Sequence, residues 1–92
     1  MALLLNIDGS QETVEPKQPP YFTLRELQAL VGGLIEVVYL PDGKLLILNE
    51  EGKLDGLAYN EQATFRASEC LWPGDYIAGI AVVVSMQEME GD

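Results

Sequence analysis

Apolar residues fall into short runs along this chain, separated by polar stretches rich in Gly, Pro, Asn and Asp. Residues 2–7, ALLLNI, read as a short buried strand. Residues 8–20, DGSQETVEPKQPP, are polar and end in two prolines, which predicts a connector. TLRELQALVGG then carries a full set of helix signals. Thr23 and Glu26 stand at the spacing of a capping box. Leu24, Leu27, Leu30 and Val31 share one face, and Gly32 and Gly33 close the helix.

Residues 34–40, LIEVVYL, are apolar and rich in β-branched side chains, which predicts a strand. Pro41, Asp42 and Gly43 suit the positions of a tight turn, with Gly43 left-handed. Residues 44–49, KLLILN, return as the second strand of a hairpin. Asn60 predicts the cap of a short helix running to Arg66, with Glu61 in its first turn. Residues 71–75, LWPGD, read as a turn, and residues 76–85, YIAGIAVVVS, as a long final strand. Residues 86–92 are an acidic tail with fraying expected.

The predicted order is β-α-β-β-short α-β. It describes an α+β domain with one main helix on one face of a small, mostly antiparallel sheet. The hairpin strand is apolar on both faces, with Leu34, Val38 and Leu40 on one and Ile35, Val37 and Tyr39 on the other. One helix covers one face only, so a second copy of the chain is the expected cover for the other. Folding of the N-terminal segment over that face is the competing expectation.

Length and composition agree with one domain over residues 1–92. It divides into an N-terminal strand and connector (1–22), a core (23–85) and the acidic tail (86–92). The chain is 48% hydrophobic and 22% charged, a globular balance. A single cysteine, Cys70, forms no internal disulfide and fits a reducing cytosol. No apolar run reaches the roughly 18 residues of a membrane helix, and ALLL is too short for a signal-peptide core. A soluble, cytoplasmic protein with no membrane partner is the expectation.

Charge changes the picture more. Fifteen Asp and Glu stand against five Lys and Arg, for a net charge of −10. Direct nucleic-acid binding is disfavoured, because phosphate backbones are held by Lys and Arg. Acidity at this level supports solubility, and it is also what a protein imitating a nucleic acid's charge requires. The chain has no His, the side chain on which triads, many metal sites and much general-base chemistry depend. An enzyme is therefore not expected, and no catalytic residue, metal ligand or cofactor is assigned.

Residues 49–64, NEEGKLDGLAYNEQAT, hold the densest polar block. NEEG suits a β-turn with Gly52 at positive φ, and Asn49 and Asn60 suit turns and caps. Lys53 balances Glu50 or Glu51 at the surface. Adjacent carboxylates on an extended strand point apart, so Glu50 and Glu51 are a poor acid–base or cation-binding pair.

Three elements in order carry a resemblance: VGG-x-I-E on Val31, Gly32, Gly33, Ile35 and Glu36; N-E-E-G-K-L on Asn49 to Leu54, followed by G-L on Gly56 and Leu57; and N-x-x-A-T on Asn60, Ala63 and Thr64. With IAGIAVVV downstream, residues 23–84 resemble a small domain of unknown function found mainly in phages, plasmids and other mobile elements of bacteria. Ala58 and Tyr59 stand where that family often has a Pro-containing step. The resemblance implies a non-enzymatic accessory protein acting by binding inside an infected or plasmid-bearing bacterial host.

Two functions follow as expectations. One is sequestration of a small anionic, nucleotide-like signalling molecule used in antiviral defence. Its site would draw on Asn49, Glu51, Lys53, Tyr59, Asn60, Thr64 and Arg66, with Trp72 as a further stacking surface. The other is an acidic inhibitor that occupies a host nucleic-acid enzyme in place of DNA. Beside both stands the plain reading that residues 49–64 are only turns and caps.

Overall fold

The computed structural model describes residues 1–89. Its strands are β1 (Ala2–Leu5), β2 (Gln11–Val14), β3 (Ile35–Tyr39), β4 (Leu45–Asn49) and β5 (Ala81–Val84). Its helices are α1 (Leu24–Val31) and α2 (Glu61–Arg66), with 3₁₀ turns at Ser68–Cys70 and Met86–Glu88. The strands form one antiparallel sheet in the order β2-β1-β5-β4-β3. The fold is α+β, with α1 as the main helix packed on the sheet.

The hairpin forms as predicted. Val37 lies opposite Ile47, and Gly43 takes a φ of 86° in the turn. The α1 capping box is complete, since the Glu26 N–H donates to Thr23 Oγ1 and the Thr23 N–H to the Glu26 carboxylate. Leu27 and Val31 are buried, whereas Leu24, at the first helical position, is 54% exposed. The buried place there belongs to Phe22, just before the cap. Phe22 and Leu27 share the core cluster and hold the positions of a hydrophobic staple.

Three stretches depart from the sequence reading. First, residues 8–20 are not all connector, because Gln11–Val14 pairs with β1 as an edge strand. A strand with one face in solvent and a free edge needs little apolar content, so its polar composition hid it. Second, the final strand starts at Ala81. Gly79 turns the chain at a φ of 90°, and residues before it make only an isolated bridge from Ala78 to Tyr59. Third, residues 86–88 of the tail are ordered. Ser85 and Glu88 form a capping box, and the buried Glu88 carboxylate also meets the Met1 ammonium. Residues 90–92 of the tail lie outside the described residues.

Both sheet faces are covered within one chain. Leu4, Leu45, Ile47, Val82 and Val84 pack beneath α1. Leu5, Leu46, Leu48, Ala81 and Val83 pack beneath Ala63 and Ala67 of the α2 segment and Ile77 beyond it. The cover on the second face is thus α2 and the chain after it, rather than the N-terminal segment. The apolar hairpin supplies no need for a partner there, although Leu34 and Tyr39 remain 56% and 69% exposed.

Candidate functional site

The polar block runs from the end of β4 to the first turns of α2, and its backbone is held tightly. Gly52 is buried, and a Cβ there would lie 2.6 Å from the Ala78 carbonyl oxygen. Gly52 therefore answers to space, not to positive φ. The left-handed residue of this loop is Gly56, at φ 71°.

Two of the seven candidate residues are structural ties in the interior. Asn49 is 5% exposed. Its Nδ2 donates to the Val31 carbonyl (3.2 Å) and its Oδ1 accepts the Glu51 N–H (2.8 Å), so it joins the ends of β4 and α1. Asn60 is fully buried. Its Oδ1 caps α2 at the Ala63 N–H (3.0 Å), while Nδ2 donates to the carbonyls of Leu5 (3.0 Å) and Gly79 (2.9 Å). A buried polar group is tolerated when such bonds are complete, and here α2 is locked to β1 and to the entry of β5.

Thr64 is half-buried, and its Oγ1 accepts the Ile77 N–H (2.8 Å). Its neighbour Gln62, which sequence reasoning passed over, donates to the carbonyls of Asn6 (2.8 Å) and Ser10 (2.9 Å). These bonds bring the β1–β2 turn against α2.

The other candidates lie outside. Lys53 pairs with Asp75 across the surface, with its ammonium 5.1 Å from the centre of the Tyr76 ring. Tyr76 in turn meets Tyr59 edge-on, at 5.9 Å between ring centres and 65° between planes. The hydrogen bond to Asp75 raises the Lys53 ammonium above its ordinary pKa, and the same bond lowers that of Asp75. Glu51 is exposed, and it is engaged through its backbone, whose N–H donates to Asn49 and whose carbonyl accepts the Asp55 N–H (2.8 Å). Arg66 is exposed at the end of α2, with no ion pair among the described residues.

The set therefore divides. Lys53, Tyr59, Thr64 and Arg66 gather on the α2 side, whereas Asn49 sits at the α1 side of the sheet and Asn60 inside. Tyr59 and Thr64 border two hollows. One, about 520 Å³, is completed by Leu57, Gly74, Asp75 and Tyr76. The other, about 840 Å³, runs beside α2 and reaches Ile7, Gln11, Gln62, Phe65 and Arg66. Phe65 (80% exposed) and Trp72 (83%) stand on the same segment. Phe65 and Tyr76 were missed because an aromatic side chain in a predicted helix or strand reads as core, and Asp75 because it falls in a predicted turn.

Among the described residues no group of His, Cys, Asp or Glu is arranged to hold a metal ion, and no helix is long and apolar enough to cross a membrane. No curated protein and no solved structure matches the chain. The family described as "Domain of unknown function (DUF3846)" matches residues 2–92, and the chain therefore belongs to the DUF3846 family.

Proposed function

We propose that this protein acts by binding rather than by catalysis, and that its working surface is the outer side of α2 and the segment that follows. The observation that carries this reading is the exposure of Tyr59, Phe65, Trp72 and Tyr76, four aromatic side chains within one stretch of chain. Aromatic residues and Arg anchor protein interfaces, and exposed apolar patches mark them. Glu61 and Glu69 accompany them on a chain of net charge −10, so the partner of matching chemistry is a protein with a basic surface. That agrees with an acidic inhibitor of a host nucleic-acid enzyme, acting in the cytoplasm of a phage-infected or plasmid-bearing bacterium. The motif resemblance to mobile-element proteins supports the setting.

A photo-crosslinking residue at position 65 or 72, with controls at 24 and 34, tests the reading in host extract. It expects one discrete adduct, with a basic protein, from 65 and 72 only. Equal adducts from all four positions, or none, overturn it.

Sequestration of a nucleotide-like molecule is the second reading. It is favoured by the hollow that Tyr59, Phe65 and Arg66 share, which offers stacking faces beside a cation. It is weakened by Lys53, whose charge Asp75 already neutralises. Mass spectrometry of small molecules released on denaturing the purified protein tests it. Self-association remains part of the proposal on a different ground: β3 is an edge strand whose one charge is Glu36. Light scattering that gives a mass near 10.1 kDa removes it.

A further inference from the structure

We propose that the hollow between Lys44 and Arg66 is a binding site for a phosphate group. It shares Arg66 with the hollow beside α2, has none of that hollow's aromatic side chains in its lining, and rests on neither reading above. The hollow measures about 250 Å³ and is lined by Lys44, Arg66, Thr13 and Ser85, with Leu3 and Val83 among its apolar walls.

Cations are scarce in this chain. Five Lys and Arg face fifteen Asp and Glu, so a cation placed without constraint would find a carboxylate. Lys53 does so, through Asp75. Lys44 and Arg66 instead come from distant parts of the sequence to one hollow, and neither makes an ion pair among the described residues. Two like charges brought together are unfavourable unless an anion joins them.

The surroundings suit that anion. Three carboxylates touch residues that line it: Glu88 accepts from the Ser85 N–H (3.0 Å), the Ser85 hydroxyl (3.2 Å) and the Met1 ammonium, Glu15 lies 3.7 Å from that same ammonium, and Asp42 accepts the Lys44 backbone N–H (3.0 Å). None of the three forms an ion pair with the side chain of Lys44 or Arg66. The apolar walls lower the local dielectric and strengthen attraction to an incoming charge. Arg66 offers a planar fork for two oxygens, Lys44 a compact charge and Thr13 a hydroxyl donor. Two positive charges match the charge of about −1.5 to −2 that a phosphate monoester carries at neutral pH.

The test titrates the intact protein at low ionic strength with inorganic phosphate and, separately, with a nucleoside monophosphate, followed by amide chemical shifts. Saturable one-to-one binding is expected, with the largest shifts at Thr13, Lys44, Arg66 and Ser85. Lys44→Gln and Arg66→Gln, both at exposed positions, should each weaken it about tenfold, the scale of one charge-assisted hydrogen bond. Arg25→Gln, which removes a charge from α1, should leave it unchanged. Absence of saturation at on the order of tens of millimolar phosphate overturns the site, as does equal weakening by Arg25→Gln. Clearly tighter binding of the nucleotide would show that the aromatic hollow contributes; equal binding would confine recognition to the phosphate.

Discussion

The two layers that cover the sheet are built on opposite plans. The α1 layer packs large side chains on the sheet: Phe22, Leu27 and Val31 are buried there, Leu24 alone of the helix's predicted apolar face is exposed, and caps finish both helix ends. The α2 layer meets the sheet through Ala63, Ala67 and Ile77 and is held by the polar ties of Asn60, Thr64 and Gln62. Its largest side chains, Phe65 and Trp72, face water. A layer that packs with alanines and displays its aromatics gains little folding energy from them. That difference is the ground for proposing the α2 side as the binding surface.

The comparison is broken most severely at Asn60. Asn60→Ala removes the cap and leaves the Leu5 and Gly79 carbonyls without their donor, a loss of about 3 kcal/mol or more. In thermal unfolding that lowers Tm by on the order of 15 °C. This exceeds the about 1 kcal/mol that a cap alone predicts. Leu27→Ala on the α1 side should cost about 2–5 kcal/mol, so one polar residue in the α2 layer rivals a core leucine in the other.

Gly52→Ala comes next. Its Cβ would meet the Ala78 carbonyl oxygen, and the forced shift should cost about 1–3 kcal/mol in urea unfolding.

A subtler contrast lies in pH. Glu26 in the α1 cap has its pKa lowered from its ordinary value by the Thr23 N–H first and the Lys17 N–H next. Since the folded value is below the unfolded one, this stabilisation is complete above the unfolded pKa and is lost as pH falls through the folded pKa. Glu26→Gln should therefore flatten the acid limb of the stability profile. Asp75→Asn serves as the comparison beside the other layer, where the hydrogen bond from Lys53 lowers the carboxyl's pKa in the same direction. At the small end, the emission of the lone Trp72 should match that of a water-exposed indole and shift to the blue when a partner covers it.

What could be read beforehand follows the range of each interaction. The β3–β4 hairpin, the α1 capping box and the Asn60 cap were legible because their residues lie a few positions apart. The bonds from Asn60 to Leu5 and Gly79 span 55 and 19 residues, and no local pattern announces them. The same holds for Gly52, whose requirement comes from Ala78 across the fold. β2 escaped because only Val14 of its four residues is apolar. Of the candidate site, Lys53, Tyr59, Thr64 and Arg66 share the α2 side, whereas the burial of Asn49 and Asn60 required the folded chain.

The central claim is that Phe65 and Trp72 are displayed rather than packed, and urea unfolding of the Phe65→Ala, Trp72→Ala double variant tests it most directly. The account predicts a stability within about 0.5 kcal/mol of the parent, as for substitutions away from the core. A loss above about 3 kcal/mol, the range of aromatic core truncations, would contradict it.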